Sequence, residues 1–431
     1  MNYFSTNNSV EPVSFREAIF KGLPADNGLF MPEQIPLLPS SFFEGISNLT
    51  LPEIGFQVIQ PFVDGEIPNE ELKAILEDTL SFDIPLVKIK DGVYSLELFH
   101  GPTLAFKDIG ARFLARSLSH FTKQEERKLT VLVATSGDTG SAVANGFYNV
   151  PNIEVIILYP SGKVSAFQEQ QMTTLGGNIT ALEVNGTFDD CQKLVKDAFL
   201  DEELRSTINL TSANSINMAR LLPQAVYYFY AWAQLSEEEK KNAVFSIPSG
   251  NYGNLSAGLI AQKMGLPIKH FLACSNVNDT VPSYLWNGKF EPKPSVATIS
   301  NAMDVGNPSN FVRMLHLFDE NHSKMSDNIT GYAYTDESTR KTIQQTYALT
   351  GYILDPHGAV GYMGLVDYKN SNKVTGIVLE TAHPVKFNHT VEQEIGIKVS
   401  LPTHITTTDL KKKSISFSKD FNDFKDFLKE G

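Results

Sequence analysis

The sequence predicts an α/β protein of two units, each a mostly parallel sheet with helices on both faces, behind an N-terminal cap. Three observations carry this. Short, β-branched apolar runs alternate with helical stretches from about residue 129, as expected of strands buried on both faces. The alternation runs to about 235 and resumes at 243. At 431 residues the chain is longer than one hydrophobic core ordinarily organises.

In chain order, SFREAIFKGL (14–23) has helical spacing and stops before Pro24. The stretch 24–39 is punctuated by proline and glycine and reads as loop or extended chain. NEELKAILEDTL (69–80) reads as a short helix with an N-cap and an acidic first turn. These belong to a cap region, 1–95. A small αβ unit, 96–240, follows. Its strands are LTVLVA (129–134), IEVIILY (153–159) and NITALEV (178–184). Its helices run from TSGDTGSAV to Phe147, over 165–176, over 188–204, and over 211–235 as one long helix with a polar loop entry. The large unit, 241–431, has strands at 243–248, 268–275 and 375–380. It has helices at 254–265, at 280–288 and from about Val385, with an inserted region near 290–350. The lysines at 411–413 and the polar tail read as a solvated end.

Composition narrows the function. A net charge of −13 argues against polyanion binding. Any phosphate must be held by a local device. Two cysteines with no CxxC spacing exclude a disulfide scaffold and point to a reducing compartment. The N-terminus has no signal pattern, and no apolar run is long enough to span a bilayer. The expectation is a cytoplasmic protein that binds neither nucleic acid nor membrane.

The chemistry centres on Lys107, in LFHGPTLAFKDIGARFLAR (98–116). Apolar neighbours disfavour its ammonium form, and a neutral amine can form a Schiff base with a carbonyl cofactor. Two strands run into loops of glycine and hydroxyl residues, TSGDTG (135–140) and SGNYGN (249–254). Such a loop turns backbone N–H groups and a helix N-terminus toward an anion. One alone is ordinarily a helix cap; two beside Lys107 point to a phosphate. Thr381, just past the last strand, could meet a ring nitrogen. An amine for an aldehyde, a phosphate cradle and a ring-nitrogen partner are what pyridoxal phosphate requires. Walker, dinucleotide-binding, HExxH and G-x-S-x-G patterns are absent. His100, His357 and His383 sit in notable loops, but each alone reads as structural.

HGPTLAFKD (100–108), ATSGDTGSAV (134–143), NSINMARLLPQ (214–224), PSGNYGN (248–254), NVNDTVPSYL (276–285), SNAMDVGNPSN (300–310) and LETAHPVKF (379–387) together resemble the threonine synthase family. So does VSFREAIFKGLPADNGLFMPEQIP (13–36), which is similar to the start of its bacterial and fungal branch. The resemblance extends to about residue 395. It implies a fold-type-II pyridoxal phosphate enzyme, tryptophan synthase beta-like, that converts O-phospho-L-homoserine and water to L-threonine and phosphate. It implies that Lys107 is the catalytic lysine joined to the cofactor. It further implies that Ser249, Gly250, Asn251, Tyr252, Gly253 and Asn254 hold the cofactor phosphate and Thr381 its ring nitrogen. Thr135, Ser136, Asp138 and Thr139 match the loop for the substrate carboxylate, and Asn214, Asn217 and Arg220 a second substrate segment. No metal is implied. Lys163, Arg112, Arg220 and the donors of 212–217 are candidates for the leaving phosphate. The branch implies a monomer or weak homodimer. A threonine or serine dehydratase on the same fold, or a non-catalytic relative that binds phosphorylated ligands, are the competing readings.

Overall fold

The computed structural model describes residues 1–63, 65–123, 127–403, 405 and 411–430. Its strands are β1 (Tyr3–Ser5), β2 (Phe30–Pro32), β3 (Leu86–Lys90), β4 (Val93–Glu97), β5 (Leu129–Ala134), β6 (Ile153–Pro160) and β7 (Ile179–Val184). They continue with β8 (Asn209–Ser212), β9 (Ala243–Pro248), β10 (His270–Ser275), β11 (Ile329–Ala333), β12 (Thr375–Glu380) and β13 (Ser414–Phe417). Three sheets form: β1-β2, a six-stranded sheet ordered β11-β10-β9-β12-β4-β3, and a five-stranded sheet ordered β13-β7-β6-β5-β8. Every pairing in the two large sheets is parallel except β3 with β4. The apolar runs of β5, β9 and β12 are buried at every position, as coverage on both faces demands.

Strand order decides where the chemistry lies. In the six-stranded sheet β9, β12 and β4 are neighbours and point the same way. The segments leaving their carboxyl ends are therefore adjacent: 249–254 from β9, 381–387 from β12, and 98–107 from β4. In the five-stranded sheet β5 and β8 are neighbours, so 135–140 and 213–220 also emerge side by side. Ligands gather at such carboxyl ends, where free N–H groups and helix starts collect.

The structure departs from the sequence expectations in several places. Residues 86–95 fell within the expected cap, yet β3 and β4 lie at one edge of the six-stranded sheet. The expected helix over 211–235 is strand, loop and three short turns: β8 reaches Ser212, and helices occupy Met218–Leu221, Leu222–Ala225 and Val226–Ala233. Pro223, with no N–H and a ring in the way, interrupts a regular ladder there. The helix over 188–204 divides at Asp201, whose carboxylate caps the second piece by accepting the Leu204 N–H at 2.9 Å. The helix at Asn69–Thr79 has Pro68 at its cap position and no side-chain cap bond. The 290–350 region contributes β11 to the large sheet. The tail is not a solvated end: β13 extends the five-stranded sheet and the helix Phe421–Glu430 buries Phe424 and Leu428. Lys412 pairs there with Glu169 and Glu183.

The N-terminal segment is fastened to the site by buried polar groups. Thr211 Oγ1 and Asn217 Nδ2 both donate to the Ile19 carbonyl. Fully buried Arg313 donates to the carbonyls of Phe30, Ser215 and Ile216 and to Asn310 Oδ1. No carboxylate among the described residues pairs with it, and burial lowers its guanidinium to about 9.

Candidate active site

Lys107 opens the helix Lys107–Thr122. The turn before it is held from two sides. Asp108 turns back to accept the Thr103 N–H at 2.9 Å and its hydroxyl at 2.5 Å. Leu104, at φ +60°, reverses the chain. Residues 104–106 then run antiparallel to the segment after β12: Phe106 N–H donates to the Thr381 carbonyl at 2.9 Å and His383 N–H to the Leu104 carbonyl at 3.0 Å. Lys107 therefore begins its helix one residue from the strand-like bond to Thr381.

Both face a cavity of about 440 Å³. Its wall includes Thr135, Ser136, Asp138, Thr139, Asn214, Arg220, all of Ser249–Asn254, and Thr381. Asn217 is the expected site residue that this wall lacks. Its side chain is spent elsewhere, capping Ala219 at 3.0 Å and donating to the Ile19 and Ser212 carbonyls. It supports the segment and does not face a ligand. Lys163 and Arg112 are also away from the wall: Lys163 is exposed and Arg112 is paired with Asp78. Of the cations weighed for a leaving phosphate, Arg220 alone lines the cavity.

The loop after β9 is built to present backbone. Ser249 Oγ donates to Asn254 Oδ1 at 2.5 Å and accepts the Tyr252 N–H at 3.1 Å. Asn251 donates to Ser215 Oγ and accepts from Ser309. These side chains, expected as phosphate donors, hold the loop's shape. The N–H groups of Gly250, Asn251, Gly253 and Asn254 make no hydrogen bond among the described residues. Gly250 packs on backbone: a Cβ there would lie 2.6 Å from Met303 Cα. Tyr252 takes a left-handed conformation at φ +59° and anchors its phenol on Ser275 Oγ at 2.5 Å. Four free amides at the start of the helix Gly253–Lys263 form a ready anion cradle.

The loop after β5 is similar in kind. Thr135 Oγ1 accepts the N–H groups of Gly137 and Gly140, at 2.9 and 2.8 Å. Asn214 bridges both backbone groups of Ala134. Ser136 and Thr139 stay half-buried at the wall. Asp138 is buried and faces Lys107, but its Oδ1 accepts from Lys386 Nζ at 2.7 Å and from Gln168 Nε2 at 2.9 Å.

Electrostatics follow from this packing. The Lys107 ammonium lies deep among protein atoms, although the cavity reaches it. Burial lowers it to about 8; Asp138 opposes the shift, while Lys386 and Arg220 reinforce it. Burial works to raise Asp138, yet Lys386 and then Lys107 outweigh it and hold the carboxyl below the usual range. Arg220 is brought down to about 10 by burial, and its Nε has no partner among the described residues. Such an unpaired buried donor at a cavity wall is costly unless a ligand supplies an acceptor.

Sequence reasoning missed Lys386 and Gln168, while Ser215, one of the donors of 212–217 weighed for the leaving phosphate, does line the cavity. Lys386 stood in plain view in LETAHPVKF; its partner on another sheet did not. His357 does line the cavity, but it accepts the Ala302 N–H through Nε2 and bonds Asp355 through Nδ1, so both nitrogens are engaged. A larger cleft of about 690 Å³ between 10–25 and β8 is lined by none of the expected cofactor- or substrate-binding residues.

The arrangement fits pyridoxal phosphate: an amine of lowered basicity, four free amides around a glycine-framed turn, and the Thr381 hydroxyl all line one cavity. The family model described as pyridoxal-phosphate dependent enzyme matches residues 83–379. The chain is thus a pyridoxal phosphate enzyme of fold type II. Models for the threonine synthase N terminus and the threonine synthase C-terminal region match 2–80 and 358–428. The threonine synthase of Haemophilus influenzae is 48% identical over 402 residues, 93% of each chain. The crystal structure of threonine synthase from Escherichia coli superposes with a TM-score of 0.94 at 42% identity over the whole of both chains. The pyridoxal phosphate-bound threonine synthase from Brucella melitensis gives 0.92 at 32% identity, covering 100% of this chain and 99% of that one. This protein belongs to the threonine synthase family. The threonine deaminase of Solanum lycopersicum, 18% identical with a TM-score of 0.56, shares the fold alone. No helix among the described residues is long and apolar enough to cross a membrane.

Proposed function

We infer that the cavity converts O-phospho-L-homoserine and water to L-threonine and phosphate. One observation carries this reading: Lys107, both glycine loops, Thr381 and Arg220 line a single cavity, although they are distributed over nearly 300 positions of sequence. When bound, pyridoxal phosphate supplies a ring that accepts electron density from the substrate's α-carbon. Lys107 would carry the cofactor, the free amides of Gly250, Asn251, Gly253 and Asn254 would hold its phosphate, and the Thr381 hydroxyl would serve its ring nitrogen. A hydroxyl there carries no charge, so it restrains the ring's electron demand.

The remaining chemistry belongs to side chains of this chain. The neutral Lys107 amine takes the α-proton; loss of a β-proton then supplies the electron pair that expels the γ-phosphate, and protons return to the α- and γ-carbons. Ser136, Thr139 and the amides beside them receive the substrate carboxylate. Arg220, which shares the cavity wall with Ser215, faces the γ-phosphate and stabilises it as the C–O bond breaks. Water then adds at the β-carbon, so that substrate plus water balances threonine plus phosphate. Buried free thiols at Cys191 and Cys274 fit a cytoplasmic setting.

Borohydride reduction of the holoenzyme should fix the cofactor on the peptide containing Lys107. O-Phospho-L-homoserine should release phosphate and threonine in equal amounts, while serine and threonine should give no keto acid at a comparable rate. Lys107→Ala should lose both the visible band and turnover. Full threonine formation by that variant, or faster turnover of serine, would overturn the reading.

A further inference from the structure

Asp138 poses a problem for the site it belongs to. It is a buried carboxylate in the loop that is to receive a substrate carboxylate, and it faces Lys107. Alone, it would repel the substrate. It would also serve as counter-ion to the Lys107 ammonium, a form that is neither nucleophile nor base. Lys386 occupies the position that removes both effects. Its Nζ lies 2.7 Å from Asp138 Oδ1, with the two side chains 0% and 3% exposed. The same Nζ donates to the Thr103 carbonyl at 2.8 Å, in the turn that leads to Lys107. Lys386 follows β12 of the six-stranded sheet and Asp138 follows β5 of the five-stranded sheet. The pair therefore ties the two halves of the cavity together beside the reactive amine.

We propose that Lys386 is a positioning residue: it claims the Asp138 carboxylate as its own counter-ion and thereby denies Lys107 a partner for its charge, so that the Lys107 amine gives up its proton more readily. The charged groups acting on Lys107 are Asp138 from the helix Asp138–Phe147, Lys386 from the turn Pro384–Phe387 and Arg220 from the helix Met218–Leu221. Asp108, on the Lys107 helix itself, is turned back onto Thr103. His357 on the cavity wall has both nitrogens engaged. One anion thus stands between two lysines, and the fully enclosed one holds it at hydrogen-bond distance. Neutralising Lys386 frees that anion for Lys107.

The inference rests on Lys107 being the reactive amine of the proposed function, so its test reads the charge of Lys107 apart from turnover. Full-length protein freed of cofactor is acetylated with acetic anhydride across a pH series, and labelling of the Lys107 peptide is followed by mass spectrometry. Lys386→Met should move the half-point of labelling up by about one pH unit, roughly a tenfold slower reaction on the acid side. Asp138→Asn should move it down. The double variant should return near the parent, and Lys386→Arg should match it. A purely structural brace would lower the melting temperature and leave the half-point in place, which would overturn the proposal. If Lys386→Met does not fold, the other two single variants decide it: no downward shift in Asp138→Asn, or an upward shift in Lys386→Arg, would overturn it. Borohydride trapping in the holoenzyme separates the two readings. Cofactor found elsewhere than Lys107 sinks the functional reading; cofactor on Lys107 with unmoved labelling sinks this one.

Discussion

Gly250→Ala offers a test of the phosphate cradle that leaves every reactive group in place. A Cβ at residue 250 would meet Met303 Cα at 2.6 Å, its carbonyl carbon at 3.0 Å and its oxygen at 3.1 Å. All three are backbone atoms, so no side-chain rotation relieves the contact. Either the 301–305 segment or the cradle must retreat by about an ångström to reach ordinary contact near 3.5 Å. Overpacking of this kind costs about 1–3 kcal/mol. The strain falls on the loop whose amides must converge on one phosphate, so most of it should appear as weakened cofactor binding. At about 1.4 kcal/mol per tenfold, the dissociation constant for pyridoxal phosphate should rise roughly 5- to 150-fold. Fluorescence titration of the cofactor-free chain measures it, with thermal melting recorded alongside. A dissociation constant within twofold of the parent and an unchanged melting temperature would refute the reasoning, because the added methyl would then have found room.

Arg313→Met should lower unfolding stability by about 3 kcal/mol, since the carbonyls of Phe30, Ser215 and Ile216 lose their shared donor; a denaturant midpoint that barely moves would contradict it. Thr381→Val should keep the visible band of the lysine-bound cofactor while reducing kcat about tenfold, the worth of one lost hydrogen bond in the transition state; unchanged kinetics would make the hydroxyl incidental. The rate at which cofactor joins the free protein should rise with pH and level off above about 8, because the lowered Lys107 supplies its neutral form only above that value. A rate still climbing steeply at pH 10 would place the amine near its ordinary pKa.

Much of the site was legible because its parts are local. SGNYGN needs only a preceding strand and a following helix to become an anion cradle, and both are encoded within about 20 residues of it. Lys107 was legible from its apolar neighbours and the Gly101-Pro102 turn. What was misread had a non-local cause. Asn217 looks like a ligand in NSINMARLLPQ; contact with Ile19, 198 positions away, makes it a structural cap. The tail reads as polar and solvated because the surface that buries Phe424 belongs to a distant helix and sheet. The 211–235 stretch has helical composition, but parallel pairing with β5 draws its first residues into β8.

The amino-acid sequence by itself determined the alternation of strand and helix, the two glycine loops, and the lysine that makes a carbonyl cofactor usable. These follow from short-range rules of burial, capping and backbone freedom. Only the tertiary structure decided that β9, β12 and β4 lie side by side, and that Lys386 spends its charge on Asp138. Strand order and buried ion pairs depend on contacts between segments far apart in the chain, and local pattern carries no record of which partner each will meet.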